Sequence, residues 1–155
     1  MNLIFRMVYV FILSLFRERL SADKLVSQLS LRVMPNDLDI NFHMNNGRYL
    51  TICDLNRVDL FLRSGLMKTM FKRGWIPLIA EHTMTYKKPL NMFEHFDVSL
   101  KVTNWDEKYF YMTHSFRNAD RIVAEGTSKG CVYERGVGVV SPADAFAAVA
   151  EDKLK

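Results

Sequence analysis

Met34-Pro35-Asn36-Asp37-Leu38-Asp39-Ile40-Asn41-Phe42-His43-Met44-Asn45-Asn46-Gly47-Arg48-Tyr49 is the stretch on which both fold and chemistry turn. Just upstream, Leu29, Leu31 and Val33 alternate with Ser30 and Arg32, the period of a strand with one buried face. Downstream, apolar positions from Tyr49 onward take helical spacing. Between the two sit two aspartates, four asparagines and one histidine. Asx residues bend chains and satisfy free amides at helix starts, so turn and cap chemistry accounts for part of the cluster. One cap needs one such residue, and the excess argues for a site. Asp39, Asn41 and His43 alternate, which on an extended segment sends their side chains to one face. The helix start that follows supplies unpaired N–H groups able to hold developing negative charge.

Outward from that stretch, Asn46 to about Arg63 reads as the main helix, with Tyr49, Leu50, Cys53, Leu60 and Phe61 as its apolar positions and Ser64-Gly65 as its stop. A short helical piece, Leu66 to Arg73 with Phe71 inward, closes at Gly74. The period then becomes two. Ile76, Leu78, Ala80, His82, Met84 and Tyr86 share one face of a strand, and Phe96, Val98, Leu100 and Val102 give the cleanest alternation in the chain. Asp106-Glu107-Lys108 and Asn118-Ala119-Asp120 turn the chain into two further strands, Tyr109 to Arg117 and Arg121 to Glu134. One long helix followed by an antiparallel meander predicts an α+β domain with the sheet's apolar face on the helix.

The run Asp37-Leu38-Asp39-Ile40-Asn41-Phe42-His43-Met44-Asn45-Asn46-Gly47-Arg48-Tyr49-Leu50 resembles the D-x-D-x-N-x-H-x-N-N-x-x-Y signature of hotdog-fold thioesterases. It is similar both to the 4-hydroxybenzoyl-CoA thioesterase-like family and to plant acyl-ACP thioesterases, and most of all to thioesterase superfamily members with a short hydrophobic N-terminus. The resemblance implies a hotdog fold, a long central helix wrapped by an antiparallel β-sheet, over roughly Ser27 to Pro142. It also implies hydrolysis of an acyl-CoA or acyl-ACP thioester by a homodimer or dimer of dimers with sites between subunits. The second acid of D-x-D maps onto Asp39 as general base or nucleophile. Asn41 maps onto the residue orienting water or carbonyl, and His43 onto the one polarising the site. Asn46 and Gly47 are the expected oxyanion donors through their backbone amides, with Tyr49 beside them. Each has a plainer role open to it: Asp37 as turn former or partner of Arg32, His43 as a loop tie, Asn45 as cap, Tyr49 as packing. The sequence departs from the plant enzymes at Thr85, which stands where they carry a glutamate, and leaves Glu81 as the nearest acid on that strand. That departure keeps open a second reading, a catalytically silent hotdog module that binds acyl chains or a membrane-associated partner.

At 155 residues the length fits one domain, and 49% apolar with 25% charged residues is ordinary for a folded chain. A net charge of +4 suits an anionic thioester substrate or an acidic carrier and equally an ordinary cytosolic surface, while scattered lysines and arginines without aromatic interleaving give no support to nucleic-acid binding. Lys68, Lys72, Arg73, Lys87 and Lys88 are candidates to meet CoA phosphates, and Met67, Met70, Phe71, Trp75 and Phe93 to line an acyl tunnel. Cys53 and Cys131 form no C-x-x-C and no zinc-like spacing, so no metal or cofactor is expected and both read as buried thiols in a reducing, cytoplasmic compartment.

Three segments are expected: 1–26, a hydrophobic helical segment; 27–142, the hotdog domain; and 143–155, a C-terminal helix started by Ser141-Pro142, read as a lid or solvated tail. The apolar run Met7 to Leu13 falls well short of the roughly 20 residues a spanning helix needs. Three readings of residues 1–19 stay open: a helix packed on the domain or its oligomer partner, a helix in a membrane interface with Arg17 and Arg19 at the headgroups, and a cleaved signal.

Overall fold

The computed structural model describes residues 2–22 and 24–153. Tyr49, Ile52, Cys53, Leu55 and Leu60 recur at helical spacing and are all buried, which drives the nineteen-residue helix α2 (Asn46–Ser64) into the body of the protein. Asn45 starts it by accepting from the Gly47 amide at 2.8 Å, and Gly65 stops it in the left-handed region at φ 88°. After it come α3 (Leu66–Arg73) and the strand β2 (Trp75–Tyr86). Then follow β3 (His95–Trp105), β4 (Phe110–Asn118), β5 (Arg121–Glu134) and β6 (Gly138–Val140). Ahead of α2 lie α1 (Asn2–Phe16) and β1 (Val26–Arg32), and α4 (Pro142–Lys153) ends the chain.

The strands form one antiparallel sheet in the order β1-β3-β4-β5-β2, with β6 added to β5. Phe96, Val98, Leu100 and Phe116 carry the alternation predicted from sequence and meet Ile52 and Leu55 of α2 in the core. The long helix wrapped by the sheet is the expected hotdog arrangement.

Four details differ from the expectations. The meander covers only β3–β5: β2 crosses to the far side and pairs with β5, where it becomes a sheet edge. Its single predicted face is broken by a bulge between Ile79 and Glu81, which slips the phase at Ala80. His82 and Met84 stay on the core side, and upstream of the bulge that side is taken by Trp75 and Ile79. Phe71, expected inward, is 81% exposed. The C-terminal helix is no solvated tail: Ala145, Ala148 and Val149 are buried against α3, and Asp152 pairs with Lys72.

α1 packs along α2. Its hold is ionic as well as apolar. Arg6 donates to the buried carboxylate of Asp37 at 2.7 and 3.2 Å. Asp59, fully buried on α2, accepts from Ser14 (2.8 Å) and Arg17 (3.2 Å) on the N-terminal side, from Ser27 of β1 (2.7 Å) and from Arg63 (3.0 Å). Asp37 therefore pairs with Arg6 and, at 3.8 Å, with Arg48, and its expected partner Arg32 takes no part in these bridges.

Candidate functional site

The stretch 34–45 does not run extended. Pro35–Asp37 forms a single 3-10 turn, Leu38 bridges Met44, and Phe42 folds back at φ 59° with its amide on the Asp39 carbonyl (3.1 Å). The loop is thus a small closed bend whose two arms are tied again by the Asp39 amide on the His43 carbonyl (2.9 Å). The alternation that placed Asp39, Asn41 and His43 on one face is lost in that bend. Asn41 points away, exposed, and gives the site only its backbone amide, which donates to Asp39 Oδ1 at 2.8 Å.

Asp39 and His43 line a cleft of about 240 Å³ with Asn46, Tyr49, Tyr86 and Lys87, while Met44, Lys88 and Pro89 complete its wall. Asp39 is half-buried. Oδ1 is held by the Asn41 amide and, at 3.4 Å, by the His43 amide, while Oδ2 accepts no hydrogen bond among the described residues. The His43 ring is likewise without a hydrogen bond among them, its backbone bridging Asn91. At the helix start, the Gly47 amide is consumed by the Asn45 cap and the Arg48 amide by the Asn45 carbonyl (2.8 Å), which leaves the Asn46 N–H without a partner among the described residues. The oxyanion pair expected at Asn46 and Gly47 is reduced to one.

Tyr86 closes the cleft from β2 by donating its hydroxyl to the Asn46 carbonyl at 2.9 Å. Tyr49 packs edge-on against Tyr86 and Phe116, at 5.1 and 4.9 Å between ring centres. Burial, and then the neighbouring Tyr86, push the Tyr49 phenol up to about 12, and burial raises Tyr86 as well. Both remain neutral hydroxyls at physiological pH.

Glu81 and Thr85 lie elsewhere. They stand on the outer face of β2, Glu81 among Thr103, Tyr111 and Lys129 and Thr85 among Ser99, Ser115 and Glu125, across the sheet from α2. Neither reaches the Asp39 cleft, because the strand's alternation turns them outward as it turns His82 and Met84 in. Of the basic candidates, Lys87 and Lys88 reach the cleft, Lys87 while paired with Glu125 at 2.6 Å, whereas Lys72 and Arg73 are engaged by Asp152 and Glu151 of α4.

A second, apolar cavity of about 210 Å³ lies between the helices and the sheet, with Val58, Phe61, Met67, Ile79, Phe110 and Met112 in its wall. It shares no lining residue with the Asp39 cleft among the described residues. Of the tunnel candidates only Met67 borders it. Met70 is buried among α3, α4 and β6, Trp75 hydrogen-bonds Glu134 at 3.0 Å, and Phe93 is half exposed on a loop.

Between the two spaces lies a polar group that spacing along the chain did not reveal. Cys53 of α2, His82 of β2 and His114 of β4 each bring one donor atom within 4.8 Å of the others. The chemistry does not fit a cation. Arg57 Nη2 donates to His82 Nδ1 at 3.2 Å, which fixes the proton on Nε2, and its buried guanidinium repels further positive charge. Burial pushes the Cys53 thiol up to about 12, so it is no nucleophile. Burial, reinforced by Arg57, lowers His82 and takes His114 down to about 3. The legible signal was phase: His114 sits between Met112 and Phe116 on the buried face of its strand, where an apolar residue is the rule.

Fold and cleft together define a class. Residues 33–150 match the profile of the thioesterase-like superfamily, and the chain belongs to it. Among named relatives it is 40% identical over 84 residues to Protein THEM6 of Xenopus laevis, a match covering 54% of this chain and 41% of that protein. It is 25% identical to the probable thioesterase YBR096W of Saccharomyces cerevisiae, over 83% of this chain and 61% of the other. The matches thus span from two-fifths to three-fifths of the length of these relatives. In fold it is similar to the probable thioesterase YbaW of Escherichia coli, with TM-score 0.73 at 16% identity over 83% of this chain and 99% of that one. It is also similar to SAV2348 of Staphylococcus aureus, solved in complex with CoA, with TM-score 0.70 at 15% identity over 83% of this chain and 84% of the other.

Proposed function

We propose that this protein hydrolyses an acyl-CoA or acyl-carrier thioester with Asp39 as general base or nucleophile. The observation that carries the reading is the asymmetry of the Asp39 carboxylate: Oδ1 is pinned by two loop amides, and Oδ2 is free in a cleft whose other edge is the Asn46 amide. As a base, Oδ2 takes a proton from water; the water oxygen bonds to the thioester carbonyl, and the oxyanion rests on the Asn46 N–H. Collapse breaks the C–S bond and releases acid and thiol. As a nucleophile, Oδ2 attacks the carbonyl itself, the C–S bond breaks as the thiolate leaves, and water then hydrolyses the mixed anhydride to the free acid and the restored Asp39 carboxylate. His43, free at the rim, is the group placed to polarise the carbonyl or to return a proton to sulfur. Lys87 and Lys88 give the cleft the positive edge that CoA phosphates require, and the CoA bound to SAV2348 supports a ligand of that class.

The working unit in this reading is a homodimer. β2 has β5 on one side only, and its free edge runs twelve residues with Ile76, Leu78 and Ile79 more than 40% exposed. An uncovered edge of that length invites a second strand. Pairing two copies there would place a partner over the mouth of the cleft at Tyr86.

The test is thiol release from acyl-CoAs of graded chain length, comparing the wild type with Asp39→Asn and Asp39→Ala. Asp39→Asn keeps the Oδ1 acceptor and hence the loop, so kcat should fall by roughly 10²–10⁴-fold with the melting temperature unchanged. No wild-type turnover at any chain length, together with saturable acyl binding, would replace this reading by the silent acyl-binding module.

A further inference from the structure

α1 is built inside out. At about 100° per residue, its side chains divide into two arcs. The inner arc carries Leu3, Arg6, Met7, Val10, Leu13 and Ser14, and every polar group on it is tied to the protein: Arg6 to Asp37, Ser14 to the Val10 carbonyl and Asp59. Arg17, which continues this arc past the helix end, is bonded to Asp59 and the Gln28 carbonyl. The outer arc covers roughly 160° and holds Ile4, Phe5, Val8, Phe11, Ile12 and Leu15, with Tyr9 and Phe16 at its margin; all are 48–85% exposed. A helix on a water-facing surface puts charge outward and apolar groups inward. Here the charged groups face the protein, and among residues 3–16 the exposed face has one polar side-chain atom, the Tyr9 hydroxyl.

We propose that this face is seated in the surface of a lipid bilayer, with α1 lying along the membrane plane as an interfacial anchor. A protein partner would meet hydrogen-bonding groups and a polar rim at about one bond per 100–200 Å², and this face supplies none but the hydroxyl. Hydrocarbon makes the opposite demand, that every polar group be satisfied internally, and the ionic ties of Arg6, Ser14 and Arg17 meet it. No helix among the described residues is long and apolar enough to cross a membrane. A helix fastened along its own domain by one face and apolar on the other lies in the interface. Arg19 and Lys24 follow it in the chain, where they can meet anionic headgroups. Two of the expectations for residues 1–19 combine in this proposal, with Arg17, expected at the headgroups, held instead by Asp59, and Arg19 giving one nitrogen to the Leu62 carbonyl: the helix packs on the domain by one face and offers lipid the other.

The experiment is flotation of the full chain with vesicles of phosphatidylcholine containing a fifth phosphatidylserine, comparing the wild type with Phe5→Glu/Ile12→Glu. Both positions are exposed, so the variant keeps its core, and circular dichroism together with sedimentation mass is recorded beside the binding. The expected result is that the wild type floats and that partitioning of the variant falls roughly a hundredfold, each half-buried side chain being worth on the order of tenfold. Both proteins should share one sedimentation mass in the absence of lipid. Wild-type protein that stays in the aqueous fraction overturns the proposal, as does flotation the double variant leaves unchanged. A wild type that does not float and whose mass drops in the variant assigns the face to a second copy of this chain instead. None of these readouts depends on hydrolysis.

Discussion

Replacing Asp59 by alanine should be the most damaging single truncation in the helical layer. Four side chains converge on its carboxylate: Ser14 at 2.8 Å, Ser27 at 2.7 Å, Arg17 at 3.2 Å and Arg63 at 3.0 Å. Arg63 is itself buried, so removing the carboxylate strands a guanidinium in the interior along with two hydroxyls. Breaking a buried pair in this one-sided way costs about 3–5 kcal/mol. For a chain of this size each kcal/mol moves the melting temperature by roughly 2–4 °C, so a fall of about 6–20 °C is expected. Arg17→Ala is the contrast: Arg17 is 29% exposed and Asp59 keeps its other donors, so its loss should stay near 1 kcal/mol. Chemical denaturation of both variants, with limited proteolysis of residues 17–25 to report α1 undocking, checks the pair. An Asp59→Ala protein as stable as Arg17→Ala would refute the claim that this carboxylate, beside the apolar seam, locks α1 in place.

Two further outcomes follow from local geometry. At Gly126 a Cβ would sit 2.1 Å from the Thr83 carbonyl of β2, a backbone atom that cannot swing aside, so Gly126→Ala should cost on the order of 3 kcal/mol or more and loosen the β2 edge, measurable by urea denaturation. His114 has its folded pKa taken down to about 3, mainly by burial, against an unfolded value near 6.5. Below 6.5 the unfolded chain binds the extra proton, so stability is full above that pH and falls as pH drops towards 3, by up to about 1.4 kcal/mol per pH unit. His114→Leu should flatten that part of the wild-type stability profile between pH 6.5 and 4, and an unchanged slope would show that the ring is not buried neutral.

How far the sequence carried depended on how local the cause was. The long helix was legible with both its ends, because Asn45 and Gly65 act within a few residues of the boundaries they set. The β3 alternation was legible for the same reason. The place of β2 was not, since strand order is decided by which edges remain free once the chain has collapsed. Pro77 was the available hint: proline is confined largely to sheet edges. In the site, Asp39, His43, Asn46 and Tyr49 are brought together as the motif suggested. Asn41 failed because a left-handed Phe42 closes the loop, and nothing in a single phenylalanine announces φ 59°. Glu81 and Thr85 failed by parity, one residue out of phase with the inward face.

Under the proposed function, Asp37, Asp39 and Asp59 divide one residue type between structure and chemistry. Asp37 and Asp59 are buried to within 1% and each is paired with arginines, Asp37 with Arg6 and Arg48, Asp59 with Arg17 and Arg63. A carboxylate so held has its lone pairs committed; moving one towards an electrophile would first break charge-assisted bonds at roughly twice the strength of neutral ones. Asp39, two residues from Asp37, is half exposed, meets no cation within salt-bridge distance among the described residues, and has one oxygen fixed and one unbonded. The fixed oxygen sets the direction of the free one, so reaction requires neither a broken ion pair nor a search over rotamers. The neighbouring Asp37–Arg6 bridge stiffens the loop beside the Oδ1 bonds of Asp39, which leaves Oδ2 out of that task, and it also fastens the helix whose outer face is proposed to meet lipid. Weakening that bridge by Arg6→Gln should therefore lower catalysis and membrane partitioning together, whereas Asp39→Asn should lower catalysis alone.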